Sequence, residues 1–142
     1  MQCKFLFMLE FTSETNIHYV FLTDDAGLAS VFPKLKDCLS LPGYRHVTLL
    51  YLSSGKSRIF HKELYILQKH FPTQLFVLLR SKLRPGQGES CQQDLEAILN
   101  ANTMQHMEFI LSGLEEFVQK AGDMLHFLGI KKFQIQEQYF TE

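Results

Sequence analysis

Apolar runs and amphipathic stripes alternate along the 142 residues of this chain. Runs that predict strands occupy residues 19–22, 47–52, 74–79, 106–111 and 133–137. The run at 19–22 is continuously apolar, which is typical of a fully buried strand. Between these runs, apolar side chains recur at helical spacing within residues 31–39, 59–67, 95–99 and 117–128. The pattern predicts five strands that alternate with four helices.

Strands that alternate with helices form βαβ units, which build a parallel sheet with helices on both faces. We therefore expect an α/β protein with a Rossmann-like, doubly wound sheet of about five parallel strands. A Phe- and Leu-rich run at residues 4–11 allows an extra N-terminal strand. No repeat or linker interrupts the chain, so residues 1–142 are interpreted as a single domain, with residues 1–17 as an extension or edge strand.

The boundaries of several elements follow from capping and turn residues. Ser30 is a candidate N-cap for the first helix, which would place Pro33 in the first turn, where its missing N–H costs little. Residues 84–88 are rich in Gly and Pro and predict a loop. The fourth strand is expected to end at Ser112 and Gly113 and to pass directly into the last helix.

Composition narrows the class of partner. The chain is 46% hydrophobic and 20% charged with a net charge of -1, which is typical of a globular protein and predicts no attraction to nucleic acid or anionic membranes. Cys3, Cys38 and Cys91 are widely spaced and odd in number, as expected for reduced, mostly buried thiols. No secretory signal pattern and no run of 18 apolar residues is present. The expected compartment is the cytoplasm.

Doubly wound sheets bind ligands at the carboxyl ends of their strands. The loops at these ends are rich in hydroxyl groups and cations: Thr23, Ser30, Ser53, Ser54, Ser57, Ser81, Ser112, Lys56, Arg58, Arg80 and Lys82. Such side chains suit contacts to phosphate and ribose. Ordinary βα loops contain the same residue types, and this alternative stays open. The histidines show no metal-ligand spacing, and no metal site is predicted.

Several motifs follow one another in a characteristic order: Phe21-Leu-Thr-Asp-Asp-Ala-Gly-Leu-Ala-Ser30, Phe60-His-Lys-Glu-Leu64, Arg80-Ser81, Ile110-Leu-Ser-Gly-Leu-Glu-Glu-Phe117 and Glu137-Gln-Tyr139. Over residues 18–140, this series resembles the NAD(P)-binding domain of the ferredoxin–NADP reductase family. The resemblance implies a site for NAD or NADP. It implies that Gly27, Leu28 and Ser30 lie against the pyrophosphate, and that Arg58 and Ser81 lie near the adenosine ribose or its phosphate.

The resemblance also implies a place for the nicotinamide, near Ser112, Gly113 and Glu137. Ser112 and Glu137 are accordingly the candidate catalytic residues. Thr23 and Ser54, from the hydroxyl-bearing loops, complete the predicted cofactor-binding set.

The chain departs from the family pattern at two glycines that let the backbone approach the pyrophosphate, where Asp24 and Asp25 stand. A carboxylate about 4 Å from a phosphate oxygen costs on the order of 4 kcal/mol at intermediate dielectric, roughly a thousandfold in affinity. These carboxylates could instead turn outward, cap the helix or hold a Mg²⁺ ion that bridges to phosphate. Ser112 replaces the family's cysteine near the nicotinamide.

In the family, a flavin-binding β-barrel precedes this domain, and hydride passes between nicotinamide and flavin. Residues 1–16 are too few for a barrel, so FAD is expected only through a partner. The leading hypothesis is an oxidoreductase component that works with a separate flavin or iron–sulfur protein. The alternative is a degenerate, non-catalytic module for protein–protein interaction. A chain cut from a longer flavoprotein, and a homodimer formed through surface that the barrel would cover, are also consistent with the sequence.

Overall fold

The computed structural model describes residues 16–41, 45–53, 60–81 and 87–140. Strands and helices alternate in the order β1 (Ile17–Asp24), α1 (Asp25–Ser40), β2 (Arg45–Ser53), α2 (His61–His70), β3 (Leu75–Ser81), α3 (Gln87–Ala101), β4 (His106–Leu114), α4 (Glu115–Phe127) and β5 (Ile135–Phe140). A 3₁₀ turn at Lys132–Gln134 precedes β5. The strand predicted at residues 4–11 lies outside the described residues.

The five strands form one parallel sheet in the order β3-β2-β1-β4-β5. The chain moves outward from β1 to β3 and then returns to place β4 on the other side of β1. The strand order therefore reverses between β1 and β4, and this is the topological switch point at which doubly wound sheets leave a crevice. The predicted α/β fold, with a Rossmann-like parallel sheet of five strands, is confirmed.

Two hydrophobic cores lie on opposite faces of the sheet. On one face, Phe21 packs with side chains of α1 and α2, including Leu35 and Leu64. On the other, Leu22 packs with side chains of α3 and α4, including Leu95. All eight residues of β1 are buried, because this central strand has helices on both faces and neighbouring strands at both edges.

The structure corrects several predicted boundaries. Helix α1 begins at Asp25 and is capped by Asp24, so Ser30 lies inside the helix and is not its N-cap. Pro33 is therefore an interior residue, where it removes one helical hydrogen bond. Gln87 and Gly88 of the predicted loop belong to α3, and residues 84–86 lie outside the described residues. Phe133 belongs to the 3₁₀ turn and not to the last strand.

Cys38 and Cys91 are buried free thiols, as predicted, and Cys3 lies outside the described residues. Burial raises the pKa of Cys38 to about 12 and that of Cys91 to about 11, so both stay protonated at neutral pH. No helix in the described part of the chain is long and apolar enough to cross a membrane.

A buried histidine connects the amino-terminal ends of the strands. One ring nitrogen of His18, Nδ1, lies 3.0 Å from Asn102 Oδ1, and Nε2 lies 2.7 Å from Thr48 Oγ1. Burial is the main cause that lowers the pKa of His18 below its usual 6.5; the Asn102 hydrogen bond opposes the shift and nearby His46 reinforces it. The neutral ring is therefore the form that the folded protein favours.

This arrangement predicts a loss of stability in mild acid. Because the pKa of His18 is lower in the folded than in the unfolded chain, the unfolded chain binds more protons below pH 6.5. The free energy of unfolding should fall with pH below that value, by up to about 1.4 kcal/mol per pH unit from this group. Urea unfolding of the wild type and His18→Gln between pH 5 and pH 8 measures the difference, and equal pH dependence in both proteins would contradict it.

Candidate functional site

The candidate site lies at the carboxyl ends of β1 and β4, where the strand order reverses. Thr23 and Asp24 end β1, and Ser112 and Gly113 stand near the end of β4. We call these four residues the β1–β4 crevice. Helix α1 leaves β1 toward one face of the sheet and α4 leaves β4 toward the other, so the amino-terminal ends of both helices meet at this point.

The carboxylate of Asp24 connects the starts of the two helices. Its Oδ1 accepts the backbone N–H of Gly27 at 2.9 Å, in the first turn of α1. Its Oδ2 accepts the backbone N–H of Leu114 at 2.9 Å, directly before α4. Asp24 is 1% exposed. The amino-terminal end of a helix carries partial positive charge and unsatisfied N–H groups, which favour an anion. At the β1–β4 crevice this anion is the Asp24 carboxylate.

Two glycines allow the close approach of these elements. A Cβ on Gly113 would lie 2.3 Å from Asp24 Oδ1, and the φ of Gly113, +156°, also disfavours other residues. A Cβ on Gly27 would lie 1.9 Å from the backbone oxygen of Ser112. Both glycines are therefore required by contacts within the protein. Their presence follows from helix and carboxylate packing, without any appeal to a ligand.

A row of polar side chains crosses the sheet beneath α1. Tyr51, Thr23, Ser112 and Gln138 are successive partners in the strand register, so their side chains lie on one face. Thr23 and Ser112 are fully buried. The Thr23 hydroxyl has no hydrogen-bond partner among the described residues, which is uncommon for a buried polar group.

The ends of this polar row are tied to α1. The hydroxyl of Tyr51 donates a hydrogen bond to the carboxylate of Asp25 in the first turn of α1. Burial and this contact raise the pKa of Tyr51 to about 12. At the other end, the Ser30 hydroxyl donates to Gln138 Oε1 at 3.0 Å, and the Ser112 hydroxyl lies 3.5 Å from the same oxygen. Asp25 is thus engaged with the sheet.

The structure brings together four of the predicted site residues: Thr23, Gly27, Ser112 and Gly113 meet at or against the β1–β4 crevice. Leu28 is 1% exposed and packs in the core beneath α1, and its place against the pyrophosphate stays a prediction. Ser30 is exposed and lies above Gln138.

Three predicted residues lie wholly or partly outside the described residues. Ser54 and Arg58 lie outside the described residues. The backbone of Ser81 pairs with Ser53 at the end of β3, while the side chain of Ser81 falls outside the description.

The two candidate catalytic residues do not lie together. Ser112 pairs with Gln138 and faces α1, whereas Glu137 pairs with Leu111. Neighbouring residues of a strand point to opposite faces of the sheet. The Glu137 carboxylate accordingly lies beside α4, where a Cβ on Gly122 would stand 3.3 Å from its Oε2. The one-residue offset places Gln138, and not Glu137, next to Ser112.

The charges near the site are mostly negative among the residues described. Asp24, Asp25, Glu115 and Glu116 stand at the starts of α1 and α4. Of the cations predicted for the carboxyl ends of the strands, Arg80 forms an ion pair with Asp94 of α3, with Nε 2.8 Å from Oδ2. Lys56, Arg58 and Lys82 lie outside the described residues. No group of three or more metal-ligating side chains occurs in the ranges that the structure describes.

Sequence reasoning missed Tyr51 and Gln138. Tyr51 was part of an apolar run, and Gln138 lay beyond the predicted end of the last strand. Their position in the polar row depends on strand register, which a single sequence does not reveal. Asp24 carried a readable signal, because Asp is a preferred N-cap and accepts an N–H two or three residues later. What the sequence did not show is its second bond, to Leu114.

Neither a protein-family model nor a curated protein matches the sequence. Solved structures do share its fold. Ferredoxin-NADP+ reductase from Plasmodium falciparum matches 87% of this chain and 52% of its own, with 15% identity and a TM-score of 0.67. A structure of the same enzyme with 2'P-AMP matches 93% of this chain over 53% of its own length, with 16% identity and a TM-score of 0.67. The flavohem-like FAD/NAD binding domain of nitric oxide dioxygenase from Vibrio cholerae matches 91% of this chain over 52% of its own length, with 19% identity and a TM-score of 0.57.

These similarities confirm the predicted resemblance at the level of the fold. The chain has the architecture of the NAD-binding half of ferredoxin–NADP reductases, and it spans about half the length of the structures it matches. Fold does not determine function by itself, so the chemistry must be argued from the site.

The close approach at Gly27 predicts a sharp contrast between two helical glycines. Gly27→Ala places a Cβ against a backbone oxygen that cannot move without shifting β4, and it should lower the free energy of unfolding by about 3 kcal/mol. Gly122→Ala meets the flexible end of the exposed Glu137 side chain at 3.3 Å and Leu111 Cδ1 at an ordinary contact distance of 3.8 Å, so helix propensity should prevail, with a gain of about 0.5–1 kcal/mol. Urea unfolding measures both. Equal effects of the two substitutions would contradict the packing described.

Proposed function

We propose that this chain is a nicotinamide-dinucleotide-binding component of an oxidoreductase, with the pyrophosphate bound at the β1–β4 crevice. The fold supports this function, because solved structures of similar architecture are NADP+ reductases and an FAD/NAD binding domain. One of those reductases is described with 2'P-AMP, a fragment of NADP. The crevice also lies at the switch point of the sheet, where ligands of such folds bind.

The observation that supports the proposal most is the convergence of two backbone N–H groups on one anionic group. Gly27 N–H and Leu114 N–H, from the starts of α1 and α4, both point at a carboxylate. A phosphate oxygen is bound by the same kind of donor. In the folded protein the occupant is the Asp24 side chain. The residues therefore fit a phosphate group at this position once that side chain has moved.

The proposal gives each well-placed residue a limited role. The first turn of α1, at Gly27, and the backbone at Leu114 would bind the pyrophosphate. Ser112 and Gly113 would lie nearest the nicotinamide, and the buried Thr23 hydroxyl offers a hydrogen bond that no described residue uses. The cofactor supplies hydride transfer when it is bound. The contribution of this chain is binding and orientation.

The remaining predicted roles are part of the same proposal. Arg58 and Ser81 would lie toward the adenosine ribose or its phosphate. The electron acceptor would be a flavin or iron–sulfur group on a separate protein or on another part of a longer chain, since this sequence spans about half the length of the reductases that it resembles. Ser112 is the candidate for contact with the nicotinamide, and Gln138 replaces Glu137 as the side chain beside it.

Binding of NADPH is the direct test. We expect calorimetric titration at low salt to give saturable binding of NADPH or NADH with a dissociation constant near or below about 1 mM. Addition of 2'P-AMP should displace NADPH if the adenosine end is recognised as in NADP. A folded chain that gives no heat with either dinucleotide would contradict the proposed function.

Two tryptophan substitutions on α1 locate the site. Ser30 is exposed and lies over Gln138, so Ser30→Trp should obstruct the polar row while the helix is retained. Lys36 is exposed on the same helix farther from its start, and Lys36→Trp is the matched control. Binding that is lost in the first variant and retained in the second supports the β1–β4 crevice. Equal binding by both would place the nucleotide elsewhere.

A second function, the non-catalytic interaction module, is favoured by one specific observation. The N–H groups of Gly27 and Leu114 are both already satisfied by Asp24, and the carboxylates at the starts of α1 and α4 repel phosphate. The interaction module becomes the preferred function if the titrations with NADPH and NADH give no binding.

A further inference from the structure

We propose that the Asp24 carboxylate is a built-in competitor for the phosphates of the nucleotide, so that the β1–β4 crevice is closed at rest and opens only when this side chain leaves. The inference rests on the proposed function and adds a means of control to it. It makes nucleotide affinity depend on a conformational equilibrium of one residue.

The Asp24 carboxylate occupies both backbone N–H donors of the β1–β4 crevice. Asp24 Oδ1 and Oδ2 each lie 2.9 Å from a backbone nitrogen, of Gly27 and of Leu114. The side chain thus spans the gap between the starts of α1 and α4, with 1% of its surface exposed. A phosphate group that used either N–H would need the space that the carboxylate fills. The two anions cannot occupy the crevice together.

Gly113 has no side chain beside the Asp24 carboxylate. The position of a Cβ on this residue lies 2.3 Å from Asp24 Oδ1 and 2.5 Å from Asp24 Cγ. The space that would let a ligand approach the backbone at the end of β4 is therefore taken by the carboxylate. When the Asp24 side chain rotates out, no Cβ at Gly113 fills the space that it leaves beside the Leu114 N–H.

Asp24 weakens phosphate binding whether its carboxylate stays near the phosphate or moves away. A carboxylate that remained about 4 Å from a phosphate oxygen would weaken binding by between about 5-fold and about 1,000-fold, depending on the local dielectric. If it moves away, the protein instead loses the cap on α1 and the bond to Leu114, which weakens the apparent affinity as any closed resting state does. In both cases the removal of the carboxylate strengthens the binding of phosphate.

The test compares the wild type with Asp24→Ser and Asp24→Asn. Serine is an equally good N-cap for α1 but is too short to reach Leu114, and asparagine keeps the size of the side chain without its charge. We expect both variants to bind NADPH, and inorganic pyrophosphate as a probe for the phosphates alone, between about 5-fold and about 1,000-fold more tightly than the wild type. Calorimetric titration at fixed ionic strength gives the dissociation constants.

Asp37→Ser is the control for net charge. Asp37 is exposed near the far end of α1, roughly 18 Å along the helix from Asp25, beyond the Debye length at 0.1 M salt. This variant changes the net charge by the same amount and should bind as the wild type does. A gain equal to that of Asp24→Ser would show a general charge effect and overturn the inference. If Asp24→Ser does not fold, as judged by circular dichroism, Asp24→Asn carries the comparison.

The two ligands separate the inference from the function on which it rests. Equal affinities of the wild type and both Asp24 variants for NADPH overturn the competition and leave the nucleotide function in place. A gain for pyrophosphate, with no NADPH binding by any protein, upholds competition for the anion position and overturns the nucleotide function. NADPH binding by the variants alone upholds the competition and overturns the proposed function for the natural chain, whose crevice the carboxylate then closes completely. No binding of either ligand by any folded protein overturns both.

Discussion

The two bonds of the Asp24 carboxylate hold the switch point of the sheet together. Helices α1 and α4 leave the sheet on opposite faces, so their amino-terminal ends would otherwise bring two sets of unsatisfied N–H groups into one buried place. Asp24 satisfies one donor from each, at Gly27 and at Leu114. The absence of side chains at Gly27 and Gly113 follows from the same constraint, because the carboxylate and the carbonyl of Ser112 occupy the adjacent space.

This constraint also links the fold to the function proposed for it. In a doubly wound sheet, the meeting point of two helix starts is the natural position for a phosphate. The protein carries its own anion there, held by the kind of bonds that a ligand would use. Under the proposed function, this single side chain both stabilises the resting fold and competes with the phosphates of a nucleotide. The polar row beneath α1 includes the buried Thr23 hydroxyl, which has no hydrogen-bond partner among the described residues.

The amino-acid sequence was sufficient to predict the fold, because the strand and helix periods differ and alternate cleanly along the chain. It was less informative about boundaries: the capping preference of Asp24 outweighed that of Ser30, and Pro33 was accommodated within α1. The site could be located only in part. The carboxyl ends of β1 and β4 follow from topology, but the separation of Ser112 from Glu137 depends on strand register, and the bond from Asp24 to Leu114 joins residues 90 positions apart. Long-range contacts of this kind have no signature in one sequence.

Amide hydrogen exchange at Leu114, followed by NMR in the wild type and Asp24→Ser, tests the central claim most directly. A hydrogen bond to a charged group contributes about 1.5–3 kcal/mol, which corresponds to at least about a tenfold change in protection where local opening limits exchange. We expect the Leu114 amide to exchange at least about tenfold faster in the variant, while the Gly27 amide, still capped by serine, keeps its protection. Equal exchange rates for Leu114 in the two proteins would contradict the account, because its N–H would then not depend on the Asp24 carboxylate.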